Sequence, residues 1–162
     1  LEVAISYENG AQQVWLNGEN VTGELRTEAV GNMASKSSAK QPVRDKLLQL
    51  QRDMAVRQNV VMDGRDIGTN VLPDAEVKIY LTASSAERAR RRYEELVEKG
   101  EACDIHQIEA DIIKRDEQDM NRAIAPLKQA EDAYYLDSSE LTIDEVVDCI
   151  LERCKEKRIW KS

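Results

Sequence analysis

Two short segments of the chain combine arginine and aspartate in patterns that could bind a phosphate group. The sequence Asp-Gly-Arg-Asp occupies residues 63–66, directly after a short apolar run, and Gly64 would let a ligand come close to the backbone. Farther along, Arg115, Asp119 and Arg122 follow at helical spacing and would lie within an arc of about 60°. A guanidinium binds phosphate through two parallel hydrogen bonds, so both segments indicate anion-binding chemistry.

Each segment also has a purely structural interpretation. The helical segment could form a ladder of salt bridges on a solvated surface, and residues 63–66 could form a polar β-turn with an exposed arginine. Four more arginines fall within residues 88–92, but consecutive positions on a helix diverge by about 100°, so some of them would pair with neighbouring glutamates. Taken singly, none of these segments decides between a ligand site and a charged surface.

The composition argues against several classes of function. The 162 residues carry a formal net charge of −8, so binding of a nucleic acid polymer through a broad basic surface is not expected, although seven of the thirteen arginines fall within residues 65–122. The sequence has no Ser-His-Asp or Cys-His arrangement, no metal-like spacing of its three cysteines and no apolar run long enough to span a membrane. Arginine-rich electrostatics of this kind suit phosphoryl transfer. Three cysteines without a disulfide pattern are typical of a protein in the reducing cytoplasm.

The first 58 residues predict a small antiparallel sheet followed by two helices. Apolar and polar residues alternate over residues 1–23, and the two Asn-Gly steps at 9–10 and 17–18 favour tight hairpin turns. Thr27 could cap a helix that runs to about residue 37. Pro42 suits the first turn of a second helix with one apolar stripe.

From residue 59 onwards, short apolar runs alternate with helical segments. We expect strands at residues 59–62, 77–81 and 134–137, which predicts an α/β fold with a parallel sheet. Ligands bind beyond the carboxyl ends of such strands, where residues 63–66 would lie. Residues 1–58 would then form an insert and residues 59–162 the later part of the core, with a mobile lid at about residues 93–113. A partner strand is expected to be missing, because three parallel strands alone make a poor sheet.

In order and spacing, several segments resemble bacterial cytidylate kinases. The matching stretches are GELRTEAVGNMAS, PVRDKLLQLQR, VVMDGRDIGTNVLPDAEVKIYLTASSAERARRR, KRDEQDMNRAIAPL and LDSSELTIDEVV. The resemblance implies a P-loop nucleoside monophosphate kinase fold, in which the parallel core carries a small antiparallel β/helix insert that binds the monophosphate. It also implies transfer of the γ-phosphoryl group of ATP to CMP or dCMP, with Mg²⁺ as cofactor.

The resemblance assigns roles to residues that contact the acceptor nucleotide. Ser35, Arg44 and Asp66 match family residues that hydrogen-bond the base, a set that favours cytosine. Arg65 and Arg122 match those that hold the acceptor phosphate. Because cytosine offers an amino donor where uracil offers a carbonyl, a carboxylate at position 66 would accept from cytosine and repel uracil.

Further roles follow from the same resemblance. Arg115 and Asp119 match residues that contact the ribose. Arg91 matches a lid arginine near the transferred phosphoryl group, with Arg88 and Arg92 as alternatives. No residue is assigned to a metal.

The sequence departs from the family pattern in two respects, because it lacks the loop that binds ATP and a D-S-G-x-x-[YF]-R segment that contributes further acceptor contacts in the family. The family begins with a strand and a G-x-x-x-x-G-K-[ST] loop that cradles the ATP phosphates and supplies a magnesium ligand, and these 162 residues contain no such motif. We therefore expect a truncated kinase with negligible phosphoryl transfer by this polypeptide alone. The intact enzyme is expected to be a monomer, whereas an exposed sheet edge could drive dimerisation or strand exchange.

Two alternatives remain open from the sequence. The chain could be a non-catalytic nucleotide-binding or interaction module that retains only the CMP site. It could also belong to a different P-loop monophosphate kinase.

Overall fold

The computed structural model describes residues 2–25, 27–38 and 40–157. They fall in two compact units, Leu1–Gln51 and Arg52–Ser162. The strands are β1 (Val3–Glu8), β2 (Ala11–Leu16), β3 (Glu19–Asn20), β4 (Ile79–Thr82) and β5 (Tyr134–Asp137). The α-helices are α1 (Glu28–Ser38), α2 (Gln41–Arg57), α3 (Ser85–Glu98), α4 (Ile105–Asn121) and α5 (Ile143–Glu156), and a π-helical turn covers Ile67–Val71.

The first unit contains the predicted antiparallel sheet. Strand β2 lies between β1 and β3, and its pairing with β1 runs from Val3 opposite Leu16 to Glu8 opposite Ala11. Both Asn-Gly steps adopt positive φ, 51° and 78° at residues 9 and 10 and 50° and 86° at residues 17 and 18. These are the backbone angles that a two-residue hairpin turn requires, so the turn prediction is confirmed.

The second unit is built around the parallel pair β4 and β5, in register from Ile79 opposite Tyr134 to Thr82 opposite Asp137. Helices α3 and α4 pack against each other. Thr142 caps α5 in a capping box with Glu145, as the sequence predicts. The buried side chains among the described residues all belong to this unit: Val71, Ala83, Ala89, Leu136 and Ser138.

The strand predicted at residues 59–62 is absent, and this expectation was wrong. Residues 59–63 have no regular secondary structure, and Val61 is fully exposed. A parallel strand forms only where a neighbouring strand satisfies its backbone groups, and in the described part of the chain β4 and β5 pair only with each other. The segment therefore reaches residues 63–66 as a loop.

Two further expectations from the sequence bear on the second unit. Over the predicted lid, residues 93–113, the chain forms the end of α3, a loop and the start of α4. The lid and the division at residue 58 stay predictions. No helix in the described ranges is long and apolar enough to cross a membrane.

Candidate functional site

Four charged side chains from two distant segments meet in the second unit. Arg65 Nε donates to Asp119 Oδ2 over 2.8 Å. Arg122 lies between two carboxylates, with Nη1 3.8 Å from Asp119 Oδ1 and Nη2 3.7 Å from Asp66 Oδ1. We call Arg65, Asp66, Asp119 and Arg122 the arginine–aspartate cluster. Its two guanidinium groups share one carboxylate, that of Asp119, so they approach a common point.

A π-helical turn positions the first half of the cluster. The carbonyl of Asp66 accepts from the backbone N–H groups of Asn70 and Val71, at 2.9 and 3.1 Å. Gly64 precedes this turn, and a Cβ atom there would lie 2.9 Å from Ile67 Cγ1, closer than such contacts allow. A glycine at position 64 is therefore required by the packing of Ile67 rather than by an unusual backbone angle.

The other end of this turn is held by Arg52, from the last part of α2. Its Nε donates to the carbonyl of Val71 over 3.0 Å, and its Nη2 donates to the carbonyl of Asn70 over 2.8 Å. The carbonyls at a helical end have no partner within the helix, and Arg52 supplies one for two of them. The backbone that carries Arg65 and Asp66 is thus fixed at both ends.

The second half of the cluster lies where α4 ends. The sequence predicted Arg122 on the helix face, but α4 ends at Asn121 and Arg122 has an extended backbone, with φ −65° and ψ 142°. The chain then turns back, because Leu127 N donates to the carbonyl of Asp119 over 2.8 Å. Ala125 adopts a positive φ of 47° within this loop, and its carbonyl accepts from Arg122 Nε over 2.6 Å.

Three members of the cluster are largely buried, which makes their electrostatics stronger than those of a surface ion pair, whereas the side chain of Arg65 is 43% exposed. The side chains of Asp66, Asp119 and Arg122 are 12%, 16% and 25% exposed. Arg122 Nη2 is buried and donates no hydrogen bond to the described residues. A buried donor without an acceptor costs about 1–3 kcal/mol, so an anion that supplied an oxygen here would be stabilised.

The predicted lid arginine lies at the carboxyl edge of the sheet. Arg91 Nη2 donates to the carbonyl of Ser138, the residue after β5, over 2.6 Å. Its Nε donates to Glu87 Oε1 over 2.7 Å. Hydrogen bonds from Arg90 and Arg91 lower the pKa of Glu87 to about 2, so this carboxylate stays ionised at neutral pH. Within the described residues, the side chain of Arg91 contacts Glu87 and Ser138 and no member of the arginine–aspartate cluster.

The two alternative lid arginines are also paired. Arg88 forms a two-point contact with the carboxylate of Asp116 on α4, at 3.1 and 2.6 Å, and donates to the carbonyl of Ala83 over 3.0 Å. Arg92 contacts Glu95 on its own helix over 2.7 Å. Arg88 therefore ties α3 to α4 and to the end of β4, whereas Arg92 belongs to the charged outer surface.

Three predicted site residues remain: Ser35, Arg44 and Arg115. The side chain of Arg115 is exposed and forms no hydrogen bond or ion pair within residues 2–25, 27–38 and 40–157. Arg44 is half-buried in the first unit, in α2. Ser35 belongs to α1, but its side chain lies outside the described part of the structure. The roles expected for these residues stay predictions.

Comparison with known proteins decides the family. A family model described as cytidylate kinase matches residues 1–156 of the chain. The chain belongs to the cytidylate kinase family. Cytidylate kinases of Geobacter sp. strain M21 and Thermosipho melanesiensis are 48% and 47% identical to it, over 98% and 96% of its length. A Lactobacillus johnsonii cytidylate kinase is 50% identical over 93% of the chain. The matched regions cover 68%, 71% and 66% of these three relatives.

The described residues present no preformed group of protein ligands for the magnesium ion that the cytidylate kinase family implies. No group of three or more histidine, cysteine, aspartate or glutamate side chains comes together within them as a metal site. The carboxylates of Asp66 and Asp119 each face a guanidinium instead. We therefore assign no residue of this chain to Mg²⁺ and derive no step through it.

The sequence did not single out three residues that hold the site of this cytidylate kinase family member. Asn70 contacts the carboxylate of Asp66, Asp116 binds Arg88, and Ser138 accepts from Arg91. Asn70 could have been found, because it lies four residues after Asp66, a spacing at which side chains meet on a helical turn. The contacts of Asp116 and Ser138 join residues 28 and 47 positions apart, which no local pattern indicates.

Proposed function

We propose that this chain provides the acceptor site of an ATP:CMP phosphotransferase, which transfers the γ-phosphoryl group of ATP to CMP or dCMP. One observation carries the proposal: the guanidinium groups of Arg65 and Arg122 converge on a single carboxylate, and Arg122 keeps a buried donor that forms no hydrogen bond within the described part of the chain. Membership of the cytidylate kinase family supports the same assignment.

The acceptor phosphate would bind where the Asp119 carboxylate now bridges the two guanidinium groups. The arginine–aspartate cluster contains two positive and two negative side chains, so it is balanced without a ligand. A phosphate carries more charge than a carboxylate and has three acceptor oxygens, so it can replace Asp119 at one or both guanidinium groups. With its charge screened, the acceptor oxygen can attack the γ-phosphorus of ATP in line.

Asp66 would distinguish cytosine from uracil. Its carboxylate is an acceptor only, so it can take a hydrogen bond from the cytosine amino group but repels the carbonyl oxygen of uracil. The distance of 3.7 Å between Asp66 Oδ1 and Arg122 Nη2 supports a base site beside the proposed phosphate site. Base and phosphate recognition would thus share one cluster, with Arg122 between them.

The remaining roles are proposed from the family resemblance. Ser35 and Arg44 would contact the base, Arg115 and Asp119 the ribose, and Arg91 the transferred phosphoryl group. ATP with Mg²⁺ would be the donor, and the core would have the P-loop monophosphate kinase fold. We propose the cytoplasm as the location.

Calorimetric titration of the chain with CMP and with UMP tests the proposal. We expect CMP to bind at least about 100-fold more tightly than UMP, because the wrong base leaves the Asp66 carboxylate facing an acceptor. Titration with AMP separates this function from that of another monophosphate kinase. Equal affinities for the three nucleotides, or no binding of CMP, would contradict the proposed function.

A further inference from the structure

The two oxygens of the Asp66 carboxylate have different neighbours. Asn70 Nδ2 donates to Oδ2 over 3.1 Å, whereas Oδ1 lies 3.7 Å from Arg122 Nη2. An amide on one side and a guanidinium on the other restrict rotation of the carboxylate plane. These two side chains therefore limit the direction in which Asp66 can accept a further hydrogen bond.

We propose that Asn70 is a positioning residue for base specificity, which orients the Asp66 carboxylate towards the amino group of a cytosine base. This inference rests on the proposed function. In this role the amide of Asn70 would act through the carboxylate of Asp66, to which it donates, and not through a contact of its own to the nucleotide. Hydrogen bonds in a recognition site require an orientation within about 10–20°, and a carboxylate that rotates freely meets that requirement less often.

The backbone of Asn70 is fixed independently of its side chain. Its N–H donates to the carbonyl of Asp66 over 2.9 Å, and its own carbonyl accepts from Arg52 over 2.8 Å. A substitution that changes only the side chain leaves both backbone contacts available. The contact between the Asn70 amide and Asp66 can therefore be removed without loss of the π-helical turn.

The amide of Asn70 also explains how Asp66 can distinguish between bases although its carboxylate faces the guanidinium of Arg122. Without the amide, the carboxylate could turn both oxygens towards the Arg122 guanidinium, since a two-point contact is the preferred geometry of such a pair. Asp66 would then be less available to the base. The amide holds one oxygen away from Arg122 and thereby keeps phosphate and base recognition apart.

The substitution Asn70→Leu tests the inference, because leucine has nearly the same shape but no donor. We expect the dissociation constant for CMP to rise about tenfold, while that for UMP changes by less than about twofold. The affinity gained from the phosphate, measured as the ratio of CMP to cytidine binding, should stay unchanged. Calorimetric titrations with the three ligands give both ratios.

Gln107→Leu is the matched control. Gln107 Nε2 donates to Asp111 Oδ1 over 3.1 Å, the same amide–carboxylate contact at the same spacing of four residues, but on the exposed surface of α4. This variant should bind CMP and UMP as the unchanged chain does. Thermal unfolding of both variants shows whether a loss of affinity comes from a loss of folded protein.

Asn70→Asp and Asn70→His provide a second comparison, which stands even where the leucine variant does not fold. Histidine keeps an N–H donor and should retain most of the CMP preference, whereas aspartate places a like charge beside Asp66 and should lose it. A folded Asn70→Leu variant with an unchanged CMP preference, or equal effects of aspartate and histidine, would overturn the inference alone. An unchanged chain without any CMP preference would overturn the proposed function as well.

Discussion

Replacement of Arg122 by lysine is expected to weaken CMP binding by about 10- to 100-fold, the largest single loss that the structure predicts. The guanidinium of Arg122 acts in three directions at once. Its Nε contacts the carbonyl of Ala125, its Nη1 faces Asp119 and its Nη2 faces Asp66. A lysine ammonium is a compact point charge on a flexible stem and cannot occupy all three positions.

The affinity lost in Arg122→Lys should be the part that the phosphate group of CMP contributes to binding. We expect the affinity for cytidine, which lacks the phosphate, to change by less than about threefold in Arg122→Lys, and calorimetry with CMP and cytidine separates the two effects. Arg90→Lys is the control, since within the described residues the Arg90 side chain is 52% exposed and contacts Glu87 and Glu94 on its own helix. Equal losses for CMP and cytidine would assign Arg122 a structural role and contradict its place at the phosphate.

Asp66→Asn is expected to reduce the preference for CMP over UMP by about 10- to 100-fold. An asparagine of the same shape keeps one acceptor oxygen but adds an N–H donor, so it can satisfy the carbonyl of uracil as well as the amino group of cytosine. UMP binding should therefore improve while CMP binding declines. Opposite changes in the affinities for UMP and CMP are expected of a residue that distinguishes between the two bases.

A control for the removed charge is needed, because Asp66 also lies near Arg122. Asp111→Asn removes a carboxylate from the exposed surface of α4, where it accepts from Gln107, and should leave the ratio of CMP to UMP affinity unchanged. If Asp66→Asn lowered the affinities for both nucleotides by the same factor, the carboxylate would be a counterion of Arg122 and not the group that selects the base.

Local sequence signals predicted most of the helices and strands, but they did not predict that residues 59–62 form a loop. The Asn-Gly turns, the cap at Thr142 and the strands β4 and β5 all depend on residues close together in the chain, and the structure confirms them. Residues 59–62 have an equally strong apolar pattern, yet they form no strand. Strand formation depends on a neighbouring strand, which the segment itself does not encode.

The geometry of the cluster was only partly accessible from the sequence. Helical spacing correctly brings Asp119 near Arg122, but it places both on one helix, whereas α4 ends before Arg122. The positive φ of Ala125 and the hydrogen bond from Leu127 to Asp119 create that change of direction, and alanine gives no signal for such a backbone angle. The contact between Arg65 and Asp119 joins residues 54 positions apart and required the structure.

The central claim is that the guanidinium groups of Arg65 and Arg122 together bind one phosphate. The most direct test compares the affinities of the chain for CMP and cytidine, which differ only in that group. We expect CMP to bind at least about 100-fold more tightly, with an advantage that shrinks as the salt concentration rises, because two charge-assisted contacts are gained. Equal affinities for CMP and cytidine would show that the cluster is a salt-bridge network without a phosphate site.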